Sequence, residues 1–248
     1  MLGGPLGAML GAAVGHNFDK GLNNASTIGI GSGEVEKVQS AFFTATFSVM
    51  GHIAKSDGHV SKHEIGVAED VMHQMRLNSQ QRKVAIRLFE EGKKEDFPLQ
   101  DILDQFRLEC HRRRNLMQMF LEILIATALA DGVFENKERE ILKNTASILG
   151  FSTQQYNSIL QRMQAFQHYH QAEEKGMSLN DAYHLLGINR NATDAEVKKA
   201  YRRQMNQHHP DKLVSKGLPQ EMMDLANQKT QDIKTAYELI KSARIKKA

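Results

Sequence analysis

Toward the C-terminus, His209, Pro210 and Asp211 stand at the end of a cationic run: Lys198, Lys199, Arg202 and Arg203 precede them and Lys212 follows. A histidine, a proline and a carboxylate in that order mean little alone; they end a helix in ordinary breaker residues or form a tip that another protein reads. Proline fixes the backbone, which reduces the entropy lost on docking. The carboxylate accepts hydrogen bonds from a cationic group such as an arginine. A one-sided row of cations suits an acidic surface, speeding encounter and setting orientation. The plainer alternative is a solvated helix face that ends in ordinary breaker residues. A metal site from His208 and His209 alone is disfavoured, because side chains at adjacent helical positions diverge.

A second constellation is acidic and repeated. "SDGHVSKHEIGVAEDVMHQMRLNSQQ" aligns with "ADGVFENKEREILKNTASILGFSTQQ", so that Asp57 falls on Asp131, Glu64 on Glu138 and Gln80-Gln81 on Gln154-Gln155. An Asp in a turn and a Glu in the next helical turn could share Mg²⁺ or Ca²⁺. The competing explanation is structural. Asp-Gly makes the turn, and an acid at a helix N-terminus stabilises it by roughly 0.3–1 kcal/mol. Ser61 and Glu64 fit a capping box; in the second copy Glu135 stands where Ser61 stands. Two carboxylates per copy are few ligands for a tight site, and no cofactor is expected.

The elements that must position these residues read as helices. The 248-residue chain is 41% hydrophobic, enough for a core, and its net charge of +3 is too small to argue for nucleic acid. Aromatic stacking residues are also missing from the cationic face. The single cysteine, Cys110, excludes an intrachain disulfide and any CxxC zinc site. No segment keeps period-two alternation long enough for a strand. The pattern predicts an all-α fold with helices at about 34–56, 61–75, 79–92, 98–112, 115–130, 136–148 and 152–168. Ser152 with Gln155 fits a capping box, and Pro98 fits a first helical turn. "MFLEILIATALA" is apolar nearly all round and should form the buried centre of a bundle, although Glu122 interrupts it.

Residues 1–23 differ from the rest, with no charge before Asp19. Gly3, Gly7, Gly11 and Gly15 form a stripe of the kind that lets two membrane helices approach closely. The segment is expected to be part of a membrane anchor, with a Gly-rich leader as the alternative. Its apolar run covers ~22 Å as a helix, short of the ~30 Å hydrocarbon core. Residues 24–33 and 169–178 read as linkers on either side of a bundle at 34–168.

Residues 179–248 carry a short helix closed by Gly187 and a second helix that opens on a Thr193/Glu196 capping box. Val197, Ala200, Tyr201 and Met205 share one face of the second helix, and the cations take the other, with His209 projecting toward them. Pro210 stops this helix. A third begins near Pro219, so that the two long helices form a hairpin with His209, Pro210 and Asp211 at its tip.

Two resemblances follow. The repeated helices resemble the TerB-like family, over roughly residues 35–168. "DAYHLLGI", "ATDAEVKKAYRRQMNQHHPDK" and "IKTAYELI" resemble the J domain of the DnaJ co-chaperones. The latter implies binding to a DnaK-type chaperone and stimulation of its ATP hydrolysis through His209, Pro210, Asp211, Lys198, Lys199, Arg202, Arg203 and Lys212. No CxxCxGxG repeats are present. The order of apolar segment, bundle and J domain is that of the DjlA-type membrane-anchored DnaJ-like proteins. That resemblance implies a regulatory co-chaperone rather than an enzyme. It also implies a single-pass inner-membrane protein, mostly cytoplasmic and homodimeric through its anchor. The alternative is a metal-binding stress sensor built on Asp57, Glu64, Asp131 and Glu138.

Overall fold

Leu, Met and Ala at helical spacing, with few prolines, leave the backbone little choice but helix. Every regular element among the described residues is helical. The computed structural model describes residues 2–14, 33–56, 62–75, 77–129, 132, 134–171, 176–219 and 222–245. Gly15, Asp57, Ser61 and Asp131 lie outside the described residues, as do residues 24–32 and the side chain of Glu64.

The repeat is visible as two helix triplets. The first comprises α2 (Glu34–Ala54), α3 (Lys62–Gln74) and α4 (Ser79–Gly92); the second comprises α6 (Arg114–Leu129), α7 (Asn136–Ile148) and α8 (Thr153–Gln171). Between them runs α5 (Leu99–Glu109). In each triplet the long first helix packs on the third, and the two long helices also pack on each other. Both third helices begin on the same device. The Asn78 side chain accepts from the Gln81 N–H, and Gln81 Oε1 accepts from the Asn78 N–H at 3.0 Å. Ser152 and Gln155 repeat that exchange at 2.9 and 3.2 Å.

The core lies where α2, α5 and α6 meet. Phe42, Phe106 and Phe120 form a ring cluster there, with centroids 4.4–6.1 Å apart. The expectation that α6 is central holds: it is buried without interruption from Leu116 to Ile125. α2 is buried just as fully, although Ser40, Thr44, Thr46 and Ser48 lie within it. Hydroxyls in that helix turn inward on its own backbone: Thr46 Oγ1 donates to the Phe42 carbonyl at 2.7 Å and Ser48 Oγ to Thr44 at 2.8 Å. Glycines bring α2 and α4 together. A Cβ on Gly51 would lie 2.0 Å from the Phe89 carbonyl oxygen, and one on Gly92 would lie 1.8 Å from that of Ser48.

The first helix, α1 (Gly4–Val14), lays Leu6, Leu10 and Ala13 on the bundle, against α2, α4 and α5. Gln105 Oε1 accepts from the Leu6 N–H at 2.7 Å, and Arg87 Nη1 donates to the Ala13 carbonyl at 2.9 Å, so both ends are held. Of the expected glycine stripe, Gly3 and Gly11 are exposed and Gly7 is half-buried. Among the described residues no helix is long and apolar enough to cross a membrane.

The C-terminal helices are α9 (Leu179–Leu186), α10 (Asp194–His208), α11 (Pro210–Val214) and α12 (Met223–Ile245). Val197, Ala200, Ile233, Ala236 and Ile240 are buried, and α9 and α10 both pack on α12. Tyr201 stacks on Tyr237 at 4.3 Å. Gly187 ends α9 in the left-handed conformation, at φ 67° and ψ 45°. α8 runs past its expected end at 168, and side chains of the C-terminal helices meet its last turn. His168 Nδ1 pairs with Asp181 at 3.1 Å and His170 Nε2 with Asp232 at 3.0 Å.

Candidate functional site

The cationic face is built by α10. Its start is fixed by the Thr193 hydroxyl, which accepts from the Glu196 N–H at 3.3 Å, while the Glu196 carboxylate accepts from the Thr193 N–H at 2.7 Å. That backbone hydrogen bond, with a second from the Thr193 hydroxyl, holds the Glu196 carboxyl below its ordinary value. Val197 and Ala200 turn inward, leaving Lys198, Lys199, Arg202 and Arg203 exposed. Lys198, Lys199 and Arg202 make no salt bridge among the described residues. Arg203 turns back instead, and its Nη2 donates to the Leu186 carbonyl at 3.4 Å.

The corner is sharper than the expected loop. α10 ends at His208, His209 alone leaves the helical region at φ −59° and ψ 122°, and Pro210 already opens α11. Proline forces extended backbone on the residue before it and is itself preset for the first helical turn, so a single residue makes the bend. Asp211 therefore sits in the first turn of a short helix. Its side chain is exposed and without a salt bridge or hydrogen bond among the described residues. Lys212 Nζ hydrogen-bonds Asn206 Oδ1. His209 does not project freely beside the cations, as the helical wheel suggests. It is half-buried, and its Nδ1 is shut off from solvent with no partner among the described residues.

Behind the corner lies a junction that sequence reasoning missed. The side chains of His208 and Glu122, on α10 and α6, are 5% and 2% exposed. His208 Nε2 lies 3.1 and 3.0 Å from the two carboxylate oxygens of Glu122, and its Nδ1 lies 3.0 Å from the Gln204 carbonyl. Lys229 of α12 also binds Glu122, touches Met163 Sδ at 3.4 Å and lies 5.3 Å from the centre of the Phe166 ring. Gln118 Nε2 donates to Glu122 Oε1 at 2.8 Å. Burial would push the Glu122 carboxyl up. The charges of His208 and Lys229, the His208 hydrogen bond and the Arg162 charge together hold it well below its ordinary value. Glu122 itself was the available signal: a carboxylate inside an apolar helix must be paired. Gln118 stands at helical spacing from it, but its charged partners His208 and Lys229 lie too far along the chain for any periodicity to name.

The acidic constellation is not assembled by what is described. Glu138 is buried, and its carboxylate accepts from the Glu135 N–H at 3.1 Å, so it caps its own helix. Among the described residues no group of three or more His, Cys, Asp or Glu could hold a metal ion. Cys110 is buried, and that burial pushes its thiol pKa far up, leaving it a core residue.

Comparison with known proteins gives three family matches along the chain. Residues 43–161 match tellurite resistance protein TerB, residues 181–248 the DnaJ domain, and residues 1–25 the co-chaperone DjlA transmembrane domain. The chain is 47% identical over 232 residues to the co-chaperone protein DjlA of Shewanella oneidensis, covering 93% of this chain and 88% of that protein. It is 42% identical to the one from Photobacterium profundum, covering 98% and 95%. To the one from Coxiella burnetii it is 44% identical, covering 98% and 94%. No solved structure matches the chain.

Proposed function

Because the chain belongs to the DjlA co-chaperone family, we propose that its J domain docks on a DnaK-type chaperone and stimulates ATP hydrolysis there. Lys198, Lys199, Arg202, Arg203 and Lys212 form the electrostatic ridge of this contact, and His209, Pro210 and Asp211 form its corner. The observation that carries the reading is Asp211, an exposed carboxylate with no side-chain partner among the described residues, on a proline-braced bend beside three cations that make no salt bridge there. A fixed acceptor next to free cations can meet a partner's arginine and its acidic surround together. In this reading the chain regulates another protein's ATPase and supplies no catalytic group.

Single-turnover ATP hydrolysis by DnaK, with and without the full chain, tests the proposal. Wild type should accelerate hydrolysis, and His209→Gln and Asp211→Asn should abolish the acceleration. Since His209 is half-buried, Asp211→Asn is the cleaner variant, and full stimulation by it would refute the assignment.

The N-terminal segment is the proposed inner-membrane anchor, which requires α1 to leave the bundle face on which Leu6, Leu10 and Ala13 pack; the bundle and J domain then lie on the cytoplasmic side, with Gly3, Gly7, Gly11 and Gly15 as the helix-pairing stripe of a homodimer. Matching of residues 1–25 to a transmembrane family supports this placement. Alkaline extraction of membranes that leaves the full chain in the supernatant would overturn the anchor, and cross-linking that yields only monomer would overturn the dimer.

A further inference from the structure

Beside the Glu122 cluster, the junction holds two further guanidinium groups, and Glu122 offsets only part of the cost of burying Arg162. Arg162 of α8 is half-buried and makes no hydrogen bond among the described residues. Burial pulls its guanidinium below the ordinary range; the Glu122 charge offsets part of this, and the neighbouring Arg203 charge adds to it. A guanidinium carries five donors, and withdrawing them from water without acceptors is costly. Arg162 Nη1 and Arg203 Nη2 converge over Gly187, where a Cβ would lie 3.5 and 3.7 Å from them.

Both arginines line a cleft of about 330 Å³ between the bundle and the J domain. Arg114, Gln154, Gln204 and Gln207 line it as well, and among the described residues no Asp or Glu does. Arg114 is already engaged, with Nη2 on Gln155 Oε1 at 2.9 Å and its guanidinium over the Phe151 ring at 4.4 Å. Arg162 makes no hydrogen bond among the described residues and Arg203 only a long one, to the Leu186 carbonyl at 3.4 Å, so two guanidinium forks from two domains remain, with amides around them.

We propose that this cleft binds a phosphate group, free or at the end of a small molecule, clamped between Arg162 of the bundle and Arg203 of the J domain. Guanidinium forks match phosphate oxygens two at a time. A dianion balances both arginines, whereas a single carboxylate leaves one charge over. The bound anion would bridge the two domains and tighten the junction. The inference stands on the cleft alone and does not depend on the chaperone-docking reading.

Calorimetry and thermal melting of the full chain test it, using inorganic phosphate, ATP and, at matched ionic strength, sodium chloride. Phosphate should bind saturably and raise Tm where chloride does not. Arg162→Gln and Arg203→Gln should each weaken binding by about tenfold or more, and Lys83→Gln, on the exposed side of α4, should leave it unchanged. If Arg162→Gln fails to fold, exposed Arg203 gives the decisive variant. Tighter binding of ATP than of phosphate identifies a carried phosphate as the occupant; equal binding identifies the phosphate alone. Stabilisation that chloride reproduces, no saturable heat, or wild-type affinity in Arg203→Gln would each overturn the proposal.

Discussion

At the offset that pairs Asp57 with Asp131, Ser48 falls on Glu122, Gly51 on Ile125, Leu88 on Arg162 and Gly92 on Phe166. The two triplets share their helix order and the caps of their third helices, yet their facing surfaces have diverged. In the first, glycines let α2 and α4 press backbone to backbone, and Leu88 and Ser48 lie sealed between them. In the second, larger side chains replace the glycines, and α6 packs less extensively on α8. The positions that are Leu and Ser in one copy are Arg and Glu in the other, and these meet the J domain. A duplicated scaffold thus closes on itself once and uses the same surface a second time as a dock. Burying a carboxylate is tolerable there because His208 and Lys229 arrive with the docked domain.

The largest test of that contrast is Glu122→Ala. It strands His208 and Lys229 without their acceptor, and loss of one member of a buried pair costs about 3–5 kcal/mol. Its counterpart Ser48→Ala removes only a hydroxyl bonded within its own helix, worth about 1 kcal/mol. Urea denaturation of the full chain should separate the two variants clearly; equal losses would contradict a specialised second copy.

Next is Gly92→Ala, whose Cβ would strike the Ser48 carbonyl oxygen at 1.8 Å. The obstacle is backbone, so the helices must part, and overpacking of this kind costs about 1–3 kcal/mol. An unchanged denaturation midpoint would mean that α2 and α4 are not in contact at this point.

The smallest effect sharpens the picture through pH. The Asp232 hydrogen bond raises the His170 pKa above its ordinary 6.5, although burial acts against it. The stabilisation is therefore complete below the unfolded value and is lost as pH rises through the higher folded value. Glu122 has the opposite sign: its carboxyl is held low, so its contribution is present above the ordinary carboxylate range and lost only as pH falls through the depressed value. Mild alkali should loosen the end of α8, whereas the Glu122 carboxyl keeps its charge. The His170 tie is partly exposed and worth less than about 1 kcal/mol. Amide exchange in α8 and α12, compared between wild type and His170→Asn across this range, checks it; identical pH profiles would remove the tie from the account.

What could be read from the sequence was local. Thr193 with Glu196, Ser152 with Gln155 and Gly187 each declare a helix end within four residues, and the apolar run of α6 declares its own burial. The equivalent cap at Asn78 is less legible, because asparagine stands where the other boxes have serine or threonine, although Gln81 falls on Gln155 in the repeat. α11 is hidden because Pro210 both stops one helix and starts another. The junction escaped for a deeper reason. Pairing Glu122 with His208 depends on how the bundle and the C-terminal helices meet, and no spacing within either encodes that meeting. His208, beside three residues that drew attention, read as an ordinary helix end.

Gly217 has a left-handed backbone, φ 98°, and lies against α2, where a Cβ would come within 2.6 Å of Val38 Cγ1. It gives the J domain a foothold apart from the Glu122 cluster and from the end of α8, where His168 meets Asp181 and His170 meets Asp232. A rigid object pinned at one spot swivels freely, and one pinned at two can only rock about the line joining them. With a third pin it stops rocking. Cutting any one fastening therefore selects the axis on which the co-chaperone's working end would swing, and a side chain in place of Gly217 would act as the wedge that starts the turn.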